Sequence, residues 1–178
     1  KDTGEVRSGQ ITAPEGFEYY IIKLDGVSAE AGFKETENYG RLEYSFSELV
    51  KRCGIDMTDC SLIEENGRAH FLTKRFDREN GKKIHMQTLC GIAHYDFRLL
   101  RGYSYEQAFN VMRALHLPYS QAQEMFRRMV FNTVVRNQDD HTKNISFLMG
   151  TDGRWRLSPA YDMGFAYNPS GSWTRTHQ

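Results

Sequence analysis

The sequence predicts an α+β fold, with a β-rich first half and a mainly helical second half. Three observations predict it. Aromatic and β-branched residues crowd Phe17 to Leu24, and Asn-Gly pairs punctuate the chain at 66–67 and 80–81. Beyond Gly91 the pattern becomes helical, with Ser104 and Gln107, and Ser120 and Gln123, as helix-opening pairs. At 178 residues the chain can bury a real core, as one domain or two small lobes.

The elements follow in order. Phe17-Glu-Tyr-Tyr-Ile-Ile-Lys-Leu24 reads as a strand, because such side chains fit a pleated surface. Leu42, Phe46, Leu49, Val50 and Cys53 fall at helical spacing, and Gly54 supplies a stop. Ser61-Leu62-Ile63 and Ala69 to Thr73 flank Asn66-Gly67, a hairpin whose two turn positions need positive φ. Asn80-Gly81 marks another turn. The Ser104/Gln107 and Ser120/Gln123 pairs read as capping boxes, each opening a helix. In the second of these helices Ala122, Met125, Phe126, Met129, Val130 and Thr133 form one apolar stripe, read as core. Ile145 to Met149 and Trp155 to Leu157 are predicted short strands joined through Asp152-Gly153.

Composition narrows the function. Lys+Arg and Asp+Glu are both 23, so the net charge is zero and a large electrostatic nucleic-acid footprint is disfavoured. The longest apolar stretches are far short of a membrane span, and no charged-then-apolar leader opens the sequence. Cys53, Cys60 and Cys90 lack CxxC spacing, which argues against zinc and for reduced, mostly buried thiols in a cytoplasm. The polar ends, Lys1-Asp2-Thr3-Gly4 and Trp173 to Gln178, do not read as domain termini, and the expectation is a piece of a longer protein.

The densest chemistry lies in Arg136-Asn137-Gln138-Asp139-Asp140-His141-Thr142-Lys143-Asn144, held between apolar segments. An acid followed five residues later by an asparagine has the spacing of a phosphoryl-transfer loop, where the acid takes a hydroxyl proton and the asparagine holds Mg²⁺. That spacing favours Asp139 over Asp140 as the base, with His141 an orienting hydrogen-bonder. A capped turn is the plain alternative, since Asp and Asn readily bond nearby backbone. Asp162, in Tyr161-Asp162-Met163-Gly164, follows the second predicted hairpin and could join Asn144 on Mg²⁺, which wants hard oxygen ligands. Lys23 ends the first strand, and Glu43 arrives one helix later, where the two could pair. Gly4 and Gly9 precede that strand and could let backbone N–H groups approach phosphates.

Assembled, these residues resemble the HipA family of bacterial serine/threonine kinases, toxins of toxin–antitoxin pairs. Asp139-Asp140-His141-Thr142-Lys143-Asn144 is similar to the family's D-x-H-x-K-N loop, and Leu157-Ser158-Pro159-Ala160-Tyr161-Asp162 to its L-[ST]-P-x-Y-D motif. Thr73-Lys74-Arg75-Phe76-Asp77-Arg78 resembles its E-R-F-D-R adenine hinge, which implies that the backbone of Lys74 and Phe76, flanking Arg75, meets the adenine edge. Tyr20-Ile21-Ile22-Lys23 looks like its phosphate-lysine strand, and Glu43 opens an ion-pair helix like the family's. The loop Gly4-Glu5-Val6-Arg7-Ser8-Gly9 is similar to its glycine loop but lacks the closing lysine.

The resemblance implies a truncated, two-lobed protein-kinase-like fold, with residues 1–78 as the first lobe and 79–178 as the second. It implies a cytoplasmic enzyme using ATP and Mg²⁺, with Gly4, Val6, Arg7, Gly9, Lys23, Glu43, Lys74, Arg75, Phe76, His141, Lys143, Asn144, Tyr161 and Asp162 around the nucleotide. Asn144 and Asp162 are then the metal ligands, Asp139 the base, and Lys143 or His141 a stabiliser of the transferring group. The implied substrate is a cellular protein, such as an aminoacyl-tRNA synthetase, whose phosphorylation arrests growth. An antitoxin partner is implied, and with it an indirect link to DNA. Thr3 and Ser8 are candidates for autophosphorylation. A lipid or small-molecule kinase, an inactive nucleotide-binding module and a purely structural fragment stay open on the residues alone.

Overall fold

The computed structural model describes residues 5–9, 14–26, 38–99 and 102–166. Its elements are mixed α and β, and they fall into two compact units. The first unit takes residues 1–45 and 58–83, and the second takes 46–57 and 84–178.

In the first unit, β1 (Tyr20–Lys23), β2 (Cys60–Glu65) and β3 (Arg68–Lys74) form an antiparallel sheet in the order β1-β3-β2. The predicted first strand is trimmed to its β-branched centre. The β2–β3 hairpin turns at Asn66 and Gly67, whose φ values of 50° and 80° are both positive, as that short turn demands. Helix α1 (Tyr39–Arg52) begins three residues before Leu42 and belongs to this unit only through Ser45; its remainder, ended by Gly54 at φ 71°, falls in the second. Two short strands, β4 (Arg78–Glu79) and β5 (Lys82–Lys83), pair across Asn80-Gly81.

The second unit holds β6 (His85–Thr88), α2 (Leu89–Ala93), α3 (Tyr105–Ala114), α4 (Tyr119–Val134), β7 (Ser146–Met149) and β8 (Trp155–Leu157). The predicted β7–β8 hairpin is present, and β6 adds a third antiparallel strand against β7. His-Met-Gln-Thr carries neither alternation nor a β-branched run, so that strand had no local signal. Leu89, Met125, Ile145, Phe147 and Leu157 are buried between this sheet and helices α2 to α4. A second cluster joins Val50 and Ile55 to Phe131, Ala160 and Met163.

Three expectations need correction. The Ser104 box forms, with its N–H donating to Gln107 Oε1 at 2.8 Å, but α4 starts at Tyr119 behind Pro118, without a side-chain cap. The fixed φ of proline supplies that start instead. The stripe on α4 is also displaced: Phe126 and Val130 are exposed, while Glu124, Met125, Arg128, Phe131 and Asn132 are buried. Polar side chains hide on the inner face because they bond loops there. The thiols differ from expectation too, since Cys53 is exposed and Cys60 and Cys90 are only partly covered.

Candidate active site

The first unit assembles a charge pair. Lys23, at the end of β1 opposite Phe71, places Nζ 2.6 Å from Glu43 Oε1 on α1. Two residues that sequence reading missed set this geometry. Asp25 is buried and its Oδ2 accepts from the N–H groups of Asn38 (3.2 Å) and Ala69 (3.3 Å), tying the start of α1 to β3. Burial alone would raise its pKa, but the backbone donors of Ala69, Asn38, Tyr39 and Gly40 hold it below the usual value. Gly40 gives the close approach: a Cβ there would lie 1.9 Å from the carbonyl oxygen of Ala69. The only sequence signal for either residue was an acid and a glycine flanking the predicted helix.

Of the glycine loop, Gly4 and Thr3 lie outside the described residues. Val6 is exposed, and Arg7 bonds Glu5 (2.6 Å) and lies over the Phe17 ring. Gly9 and Ser8 are exposed beside them. At the hinge-like segment, Lys74 N–H donates to Asp59 O (2.9 Å) and its carbonyl accepts from Thr58 Oγ1 (3.0 Å). Arg75 N–H donates to Tyr19 O at 2.8 Å, and its guanidinium grips Asp77 through two bonds. Phe76 follows, between Arg75 and that carboxylate.

The second unit gathers the polar loop. Helix α4 ends where Arg136 takes φ 56°, and the loop is then pinned at several points. Thr142, almost fully buried, donates to Tyr95 O (2.9 Å), and its carbonyl accepts from Cys90 N–H (3.0 Å). Asn144 Nδ2 donates to the Asp139 carbonyl at 2.9 Å, so its amide oxygen is the end that can meet a cation. The His141 ring lies edge-on to Phe97, with Nε2 3.8 Å from Asp139 Oδ1. Lys143 Nζ stands 3.4 Å from the centre of the same Phe97 ring, a cation–π contact absent from the sequence reading.

Asp139 and Asp140 have opposite surroundings. The Asp139 side chain is 51% exposed, whereas Asp140 is buried and accepts a short bond from the Tyr105 hydroxyl. Burial and the Asp140 charge push the Tyr105 hydroxyl well above its ordinary pKa, so it stays a donor. Tyr161 behaves similarly: burial raises it to about 12, and its hydroxyl donates to Lys143 O at 2.6 Å, bracing the loop beside Asn144. Asp162 adopts φ 51°, a left-handed conformation an aspartate tolerates better than most residues.

Asn144, Tyr161, Asp162 and Asp140 line one small cavity together with Asn132 and Arg128. Among the described residues no three His, Cys, Asp or Glu side chains are grouped to hold a metal ion. Asn144 and Asp162 bring one amide and one carboxylate to the lining of that cavity, and in kind these are the sparse hard-oxygen donors that suit Mg²⁺ when phosphates supply the remaining ligands.

A family model, the HipA-like C-terminal domain, matches residues 4–177. The chain belongs to that family. A Haemophilus influenzae protein named as a candidate kinase is 26% identical over 134 residues, which are 67% of this chain and 39% of that protein. A candidate kinase of Sinorhizobium fredii is 27% identical over 137 residues, 68% of this chain and 32% of that protein. The chain thus spans about a third of the length of the curated relatives it matches. Among solved structures, Shewanella oneidensis HipA, in its complex with HipB and operator DNA, superposes with a TM-score of 0.64 at 22% identity, over 82% of this chain and 37% of that one. The Helicobacter pylori proinflammatory kinase CtkA gives 0.58 at 17% identity, over 87% and 54%. The fold is kinase-like. No helix among the described residues is long and apolar enough to cross a membrane.

Proposed function

We propose that this chain carries the catalytic core of an ATP- and Mg²⁺-dependent kinase that phosphorylates serine or threonine on a cellular protein. The observation that carries the reading is the shared cavity of Asn144 and Asp162, with Asp139 exposed on the same loop. Mg²⁺, when bound with the nucleotide, would neutralise charge on the phosphates. Asn144 and Asp162 would hold it there. Lys23, kept in place by Glu43, would meet the α- and β-phosphates. Asp139 would orient the acceptor hydroxyl and take its proton, aided by Lys143 or His141 near the transferring group.

The hinge residues Lys74, Arg75 and Phe76 would bound the adenine, and Gly4, Val6, Arg7 and Gly9 the phosphates. Because the Lys74 N–H is already bonded to Asp59 O, Lys74 would meet the adenine edge only through its carbonyl, and a backbone donor would come from the segment after it. Residues 1–78 and 79–178 would act as the two lobes. The protein would work in the cytoplasm, with an aminoacyl-tRNA synthetase as the substrate class and growth arrest as the outcome. A DNA-binding antitoxin would restrain it, as HipB accompanies the Shewanella HipA.

The test uses the full-length protein with γ-labelled ATP and three acceptor classes: protein, lipid and sugar. Label on protein serine or threonine, dependent on Mg²⁺, is the expected result. Transfer only to lipid or sugar would replace the acceptor, and ATP binding without transfer would leave a nucleotide-binding module.

A further inference from the structure

We propose that Asn137 is a positioning residue that locks the Asp139 loop to the Asp162 loop and so fixes the spacing of the metal ligands. The inference rests on the phosphoryl-transfer reading above and names a residue that touches neither nucleotide nor metal in it. Asn137 is buried, 3% exposed, at the mouth of the polar loop. A buried primary amide must place two donors and one acceptor, or the fold loses the desolvation free energy of each unmet group. Here all are placed, and each partner belongs to the site or its support. Oδ1 accepts from the Asp139 N–H at 3.3 Å. Nδ2 donates to Asn132 Oδ1 on α4 at 3.1 Å and to the Asp162 carbonyl at 3.4 Å.

One planar group therefore touches the backbone of the proposed base and of a proposed metal ligand. The backbone N–H of Asn137 donates to Asn132 O at 2.9 Å, so its main chain is anchored to the end of α4 as well. The adjacent backbone repeats the link, with Gln138 N–H donating to Ala166 O at 3.1 Å. From Asn132 the chain of bonds continues through Nδ2 to the Tyr105 hydroxyl (3.3 Å) and on to Asp140. It ends on the residue beside Asp139. The Asp162 backbone has particular need of such a tether, because φ 51° is sparsely populated without glycine and must be held by its surroundings.

Removing a group that orients metal ligands ordinarily costs about 10–100-fold in metal affinity. The full-length protein is therefore compared with its Asn137→Ala variant by electron paramagnetic resonance of Mn²⁺ in the presence of the non-hydrolysable analogue AMP-PNP. The expected result is Mn²⁺ affinity lowered by about ten-fold or more, with metal-free AMP-PNP binding retained. Hydrogen exchange should rise in peptides covering 138–145 and 160–166 and stay constant in α3. Asn137→Asp has the same size and covers the case in which the alanine variant fails to fold. It keeps an acceptor for Asp139 N–H and loses the donors to Asn132 Oδ1 and Asp162 O, so exchange should rise in 160–166 and at the end of α4 but not in 138–145. Wild-type affinity and exchange in both variants would overturn the role of Asn137 while leaving the kinase reading intact. Absence of Mn²⁺·AMP-PNP binding by the wild-type protein would overturn both.

Discussion

Asp139 and Asp140 are adjacent, yet one faces solvent beside His141 while the other is buried against Tyr105. A general base must reach a substrate proton, which suits the exposed acid; the buried one suits support. Spacing to Asn144 pointed the same way in the sequence, but nothing there revealed that Asp140 is bonded inward. Asp25 is a similar case, a single acid whose partners are all distant in sequence or backbone. Its pKa is depressed in the fold, so its contribution is present above the ordinary aspartate value of about 3.9 and is lost as pH falls through the lower folded value. Asp25→Asn is expected to lower the melting temperature at neutral pH, and the gap to wild type should narrow below about pH 4. Thermal melts across pH 2.5–7 would check this; a gap that widens toward acid would contradict it.

At the scale of elements, the Lys23–Glu43 pair depends on where α1 begins, and Gly40 lets it begin against β3. Gly40→Ala should destabilise by about 1–3 kcal/mol, as overpacked sites do, because the obstacle is backbone rather than a movable side chain. Urea denaturation measures it, and an unchanged midpoint would show that α1 shifts freely. The strands and turns with local chemistry were legible: Asn66-Gly67, Asn80-Gly81 and the β7–β8 pair follow from residue types alone. Strand β6 was not, since its pairing comes from β7, some sixty residues later. The buried face of α4 was misread for a related reason. Periodicity marks apolar residues, but Glu124 is buried because it accepts from Asp56 N–H (3.0 Å), a partner outside the helix that the pattern cannot contain, as well as from Arg128 one turn on (3.0 Å). That polar face also carries Asn132, and through it the bonds that reach the site.

Across the whole molecule, each unit keeps its own group of candidate residues: Lys23 pairs with Glu43 in the first, and Asp139, Asn144 and Asp162 lie in the second. Their order along the chain was legible because each motif is short and contiguous. What braces the second group was not, because Asn137, Tyr105 and Phe97 act through contacts across many residues. Family membership and a kinase-like fold accord with phosphate transfer, and in the function proposed above Asp139 is the base. The most direct measurement is γ-phosphate transfer by the full-length protein and its Asp139→Asn and Asp140→Asn variants, with melting curves alongside. Asp139→Asn is expected to melt like wild type and to lose transfer by about 10²–10⁴-fold. Asp140→Asn is expected instead to melt earlier and to keep the greater part of its transfer. An Asp139→Asn protein that transfers phosphate at the wild-type rate would rule out Asp139 as the base.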